Sequence, residues 1–69
     1  MPVSRKIRMA LAYKNMREAE LARALGIFPQ SLNRKMKSGK FTVQELEKIA
    51  EVLDAKYISE FQFPDGTKI

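Results

Sequence analysis

The sequence predicts a mainly α fold, four short helices followed by a C-terminal β-hairpin, and three observations predict it. Apolar residues recur at i, i+3, i+4 and i+7 along most of the chain up to Leu53. Capping residues, glycine or proline punctuate these stretches, and the hydrophobic period falls to two near Tyr57.

The first helix is expected to take Ser4 as its N-cap and to run to about Tyr13 or Lys14, with Ile7, Ala10, Leu11 and the stem of Lys14 along its inner face. A second spans roughly Arg17 to Leu25 and turns Leu21, Ala22 and Leu25 inward. Gly26 ends it, since glycine accepts a left-handed C-terminal turn without a Cβ clash. The third starts near Pro29, whose fixed φ suits a first helical position, and runs to about Lys37 before "KSGKF" breaks it. The fourth carries the clearest signals. In "TVQELEKIAEVL", Thr42 and Glu45 form a capping box, and Leu46, Ile49, Ala50 and Leu53 make an apolar stripe. After Asp54, "YISEFQF" alternates, with Tyr57, Phe61 and Phe63 on one face and Ile58, Glu60 and Gln62 on the other. "PDGT" supplies a turn, leaving Thr67, Lys68 and Ile69 for a return strand. A lone two-stranded hairpin is barely stable in water, so this one must dock on the helices, pair with another chain, or do both.

The 69 residues suffice for one domain, a helical core over residues 4–55 and a hairpin over 56–69. The chain has no Cys and no His, which excludes disulfides, thiolate nucleophiles, imidazole bases and the usual zinc ligand sets. The carboxylates do not make a catalytic pair: Glu18 and Glu20 face different sides of a helix, and Glu47 with Glu51 is an ordinary i,i+4 pair beside Lys48. The three glycines are isolated, so no phosphate-cradling loop is present. No catalytic, cofactor-binding or metal-ligating residue is therefore expected, nor any cofactor or small-molecule ligand. The longest apolar run, "MALAY" at residues 9–13, is far below the roughly 18 residues of a membrane span, and "MPVSRKIRM" lacks a signal-peptide core. The expectation is a soluble, unprocessed, cytoplasmic chain with no membrane partner.

Charge is distributed unevenly. Residues 1–40 hold ten Lys/Arg against two acids, a balance of +8, and residues 41–69 hold three against six, a balance of −3. A cationic excess confined to one part of a small domain fits a polyanion footprint, because neutralising phosphates releases counterions.

Two helices joined by about three residues must cross at a large angle, the helix-turn-helix arrangement. Ala22 suits it by letting the helices approach, and Gly26 by making the sharp exit. At about 100° per residue, Phe28, Leu32 and Met36 fall on one side of the third helix and Gln30, Asn33, Arg34 and Lys37 on the other. Two amides and two cations on one face, with no acid between Glu20 and Glu45, suit the major groove: Gln and Asn pair with the adenine edge and Arg with guanine O6 and N7.

The run "AELARALGIFPQSLNRKMKSGKFTVQELEKIAEVLDA", with the preceding "IRMALAYKNM", resembles the Cro and phage-repressor type of helix-turn-helix domain, a family of bacterial and phage transcription regulators. The likeness covers roughly residues 5–55 and is carried by Leu21-Ala22, Leu25-Gly26-Ile27, Leu32, the loop around Gly39 and "LEKIAEVL". It implies a lambda-repressor-like four-helix fold whose second helix lies across the phosphate backbone and whose third enters the major groove. Gln30, Asn33 and Arg34 fall where that family reads bases, and phosphate contacts are expected from Arg17, Ser31, Lys37, Ser38 and Lys40. Four positions depart from the pattern. Arg17 and Glu18 stand where a Ser or Thr cap and a Gln are usual, and the Glu18 carboxylate would repel a phosphate. Phe28 replaces the cap of the third helix and is expected to pack on the core or near the hairpin; Lys35 stands where an apolar residue is common.

Double-stranded DNA is the expected partner, bound by a homodimer acting as a small Cro-like repressor on half-sites about 34 to 36 Å apart. Tyr57, Phe61 and Phe63 are the expected dimerisation residues, with intramolecular docking of the hairpin on the first helix as the competing reading. The alternative function is a protein-interaction module on the same fold, its basic face meeting an acidic partner.

Overall fold

The computed structural model describes residues 3–58 and 61–69. Its elements are α1 (Val3–Tyr13), α2 (Glu18–Leu25), α3 (Pro29–Ser38), α4 (Val43–Val52), β1 (Lys56–Tyr57) and β2 (Phe61–Gln62). The four helices and the short C-terminal sheet are the architecture the sequence predicts, with boundaries within about a residue except at α1, which begins at Val3, ahead of its expected cap.

Chain termination explains those boundaries. Gly26 closes α2 in the left-handed region at φ 73°, and the N–H of Ile27 reaches back to the Ala22 carbonyl at 3.0 Å. Asn15 and Asp54 close α1 and α4 in the same way at φ 58° and 54°, positions where a short polar side chain is the best substitute for glycine. Thr42 Oγ1 accepts from the Glu45 N–H at 3.1 Å while Glu45 Oε1 accepts from the Thr42 N–H at 2.8 Å, completing the expected capping box. At α2 half of such a box forms: Glu20 accepts from the Arg17 N–H at 3.1 Å, and a guanidinium has no acceptor to return the bond.

Ser4 does not cap α1. It lies inside the first turn of a helix that begins at Val3, is 6% exposed, and donates its hydroxyl to the Met36 carbonyl at 2.6 Å. The bond ties the start of α1 to the last turn of α3, where a carbonyl needs a donor from outside the helix.

One core joins all the elements. Ile7, Ala10 and Leu11 of α1, Leu21 and Ala22 of α2, Leu32 and Met36 of α3, Leu46, Ile49 and Ala50 of α4, and Leu53 are buried together with Phe61 and Phe63. Each buried Leu, Ile, Met or Phe side chain contributes about 1.5–3 kcal/mol. Ala22 is fully buried where α2 meets its neighbours, as its small size predicts.

The C-terminal segment folds differently from the expected hairpin. β1 and β2 pair antiparallel, Lys56 opposite Gln62 and Tyr57 opposite Phe61, so the run over residues 57–63 doubles back on itself instead of extending as one strand. Residues 67–69 return alongside β2 through a single bridge, Gln62 opposite Lys68, and not as a full strand: Phe61 and Ile69 exchange backbone bonds of 2.7 and 2.9 Å, and the Phe63 N–H reaches the Thr67 carbonyl at 2.8 Å. The result is a three-segment meander. Glu60, expected on the strand's outer face, lies outside the described residues. Phe63 stacks on Tyr13 of α1 with centroids 4.5 Å apart, Lys14 Nζ lies 5.8 Å from the same ring, and the Thr67 hydroxyl donates to Tyr13 Oη at 3.1 Å.

Candidate nucleic-acid interface

α2 and α3 are joined by Gly26, Ile27 and Phe28 alone, so α3 leaves the crossing with its first turn beside the first turn of α2. Pro29 occupies the first helical position and Phe28 the N-cap, where it offers no side-chain acceptor. Between the two first turns lies a concavity of about 410 Å³ lined by Glu18, Ala19, Pro29, Gln30 and Asn33. It brings Gln30 and Asn33 together as the sequence pattern expects, and adds Glu18, Ala19 and Pro29, which that pattern did not mark as lining.

Arg34 stands outside this concavity, exposed one residue on from Asn33. Lys37 is exposed in the last turn of α3, and Lys40 just beyond Gly39. Lys37 and Ser38 are the last two residues of α3, which runs one residue past its expected end. The Ser38 hydroxyl donates to the Lys35 carbonyl and accepts from the Lys40 N–H, both at 3.2 Å. Its phosphate contact would compete with the first of those bonds. Ser31 is half-buried, and Arg17 is exposed at the N-cap of α2.

Two cations on this side are opposed by acids. Lys35 Nζ meets Glu45 Oε2 at 2.6 Å, tying α3 to α4, and the Lys35 ammonium followed by the Thr42 N–H holds the Glu45 carboxyl below its ordinary range. Lys35 is half-buried, its residue lining a cavity of about 160 Å³ with Leu25, Ile27, Leu32 and Phe41, while Met36 takes the inward position at 2% exposure. A lysine thus fits where an apolar residue is common, because its stem is apolar and its head has an acid to reach. Arg8 Nε lies 3.9 Å from Glu18 Oε2, which offsets the negative charge at the start of α2. Both partners are well exposed, so the pair is weak.

Phe28 is not on the core. It is 78% exposed, against the expected packing, because its extended backbone (φ −72°, ψ 143°) breaks the helical rotation that would have stacked it over Leu32 and Met36. The expected dimerisation residues are placed on the chain's own interior. Phe61 is fully buried, Phe63 is 5% exposed, and Tyr57 is half-buried with its ring 5.5 Å from that of Phe61. Docking on α1, the competing reading, is where the Phe63 ring is found.

A family model for the Cro/C1-type HTH DNA-binding domain matches residues 6–61. The chain belongs to that family. The match takes in α2, the turn, α3 and α4 of this Cro/C1-type domain and reaches Phe61 in the meander. It makes the chain a DNA-binding domain of the kind that serves transcription regulation. No match is found among curated proteins or among solved structures. No helix among the described residues is long and apolar enough to cross a membrane.

Proposed function

We propose that this Cro/C1-type domain reads a preferred sequence in double-stranded DNA by laying α3 in the major groove, and that it represses transcription by occupying its site. One observation carries the reading: Gln30, Asn33 and Arg34 are exposed on an α3 surface that holds amides and cations and no carboxylate of its own. Gln30 and Asn33 would take adenine edges and Arg34 a guanine. Arg17, Lys37 and Lys40 would fix register through phosphates without carrying sequence information. Ser31 and Ser38 are secondary phosphate donors, the latter only after releasing the Lys35 carbonyl.

A ten-residue α3 spans few base pairs, so a defined operator is better served by two copies on half-sites about 34 to 36 Å apart. The homodimer is part of the proposal, and the burial of Phe61 and Phe63 argues for a contact made by backbone edge or other residues, not by those rings. Cytoplasmic location follows from access to bacterial or phage DNA. Binding without a ligand or catalytic step makes repression steric: the bound protein covers DNA that polymerase needs.

Selection of bound duplexes from a random pool at physiological salt tests this directly. A recovered consensus with two related half-sites is the expected result. Recovery of no consensus, with binding that vanishes as salt rises, would reject base readout and favour an interaction module with an acidic protein partner.

A further inference from the structure

The chain contains four phenylalanines, and the fold treats one of them differently. Phe61 and Phe63 are buried and Phe41 is half-buried against the core, whereas Phe28 is 78% exposed at the N-cap of α3. A phenyl ring left in water forgoes the burial that stabilises the others, and as an N-cap it supplies no acceptor for the first free N–H groups of the helix. Neither the core nor the helix end gains from it. Phe28 also directly precedes Pro29 and Gln30, which line the concavity between α2 and α3, and Pro29 fixes the backbone angle that follows.

We propose that Phe28 is itself a specificity-determining residue, its ring meeting the 5-methyl group of a thymine in the major groove. The proposal rests on the base-readout reading above. In helix-turn-helix docking the N-terminal end of the second helix approaches the base edges, which is the end Phe28 occupies. The thymine methyl is the apolar feature the major groove presents, and a phenyl ring is a fitting contact for it; a phosphate offers the ring nothing. The α3 face that follows the ring carries the Gln30 and Asn33 amides and the Arg34 and Lys37 cations, while the Glu18 carboxylate across the concavity is opposed by Arg8 at 3.9 Å; DNA supplies methyl and phosphate side by side to such a face.

The test uses the duplex selected in the preceding experiment, with each thymine replaced in turn by deoxyuridine, which deletes only the methyl. Wild-type protein should lose about fourfold in affinity at one position, the effect of removing one buried methyl-sized group. Phe28→Ala should bind more weakly and lose nothing further at that position, and Phe28→Leu should regain part of the methyl preference. Because the ring is exposed, both variants should melt with the wild-type protein. Equal uridine effects in wild type and Phe28→Ala at every position would overturn the proposal. So would a Phe28→Ala mass change in light scattering without any methyl coupling, which would assign the ring to a protein contact. A consensus that persists while the methyl effect is absent removes only this inference, whereas failure to recover any consensus removes the readout reading beneath it.

Discussion

Replacing Ser4 by Ala sets two effects of opposite sign against each other. Alanine is the better helix former, by about 0.5 kcal/mol, and if Ser4 were merely a helical residue the substitution would stabilise α1. The structure gives the hydroxyl another task. It donates to the Met36 carbonyl at 2.6 Å across 32 residues of sequence, in a buried position. The N–H that a continuing helix would offer that carbonyl belongs to Lys40, and it donates to Ser38 Oγ instead. Without the Ser4 hydroxyl the carbonyl has lost its donor, and an orphaned buried acceptor costs about 1–3 kcal/mol. Subtracting the gain in propensity leaves a loss of about 0.5–2.5 kcal/mol, with about 1.5 as the central value. In a domain of this size each kcal/mol lowers the melting temperature by about 4–8 °C, so Ser4→Ala should melt about 6–12 °C lower. Thermal unfolding followed by far-ultraviolet circular dichroism measures this, with Arg5→Ala, an exposed neighbour in the same turn, as the propensity control. A melting temperature equal to or above that of the wild type would show that propensity wins and that the link between α1 and α3 stabilises nothing.

Further consequences can be checked with single variants. Arg34→Ala should cost about 1–3 kcal/mol and relax preference at one base position, while Lys40→Ala should weaken all sequences alike and reduce the salt slope by about one; equal losses on every duplex for both would refute the division of roles. Phe61→Ala, at a fully buried ring, should cost about 3–5 kcal/mol, and a melting temperature close to the wild-type value would contradict the docked meander. Acid should reveal the Lys35–Glu45 pair. The Glu45 carboxyl titrates below its ordinary 4.5 in the folded state, so its stabilisation is complete above that pH and is lost as pH falls through the lowered value. Glu45→Gln should therefore flatten the acid limb of the stability profile, with Asp65→Asn, whose carboxyl is lowered by its hydrogen bonding with Thr67, measured separately; parallel profiles for wild type and Glu45→Gln would exclude the pair as a source of that limb.

The helices were legible because each is announced by signals a few residues long. Gly26 takes the left-handed turn, Thr42 and Glu45 exchange cap bonds, and the apolar stripe of α4 lies in the core, all as the local pattern states. The outward set of α3 was legible for a related reason: a face that carries Gln, Asn and Arg and no acid is visible from spacing alone, and all three side chains are exposed. What failed was each inference that needed a distant partner. Ser4 reads as a cap because Ser caps helices, and only the approach of α3 reveals the Met36 carbonyl that claims it. The reversal after Tyr57 has no Gly or Pro to mark it, so a period of two ran on as a single strand through a turn. Phe28 was placed by extending the rotation of α3 through a residue that is not helical.

The way α3 is held leaves its outward face without a structural task. Leu32 and Met36 bury its inner side, Ser4 binds its last turn, Glu45 takes the Lys35 ammonium, and Pro29 and Gly39 set its ends. None of those contacts involves Gln30, Asn33 or Arg34. Stability therefore rests on residues of this ten-residue helix other than the three proposed to read bases. Exchanging the three outward side chains for others of similar helix propensity should move the preferred sequence while shifting the melting temperature by no more than about 2–4 °C per substitution, since surface changes away from caps and core shift stability by about 0.5 kcal/mol at most. A coupled fall in stability and specificity would mean that the face is structural, and base readout by these residues would lose its support.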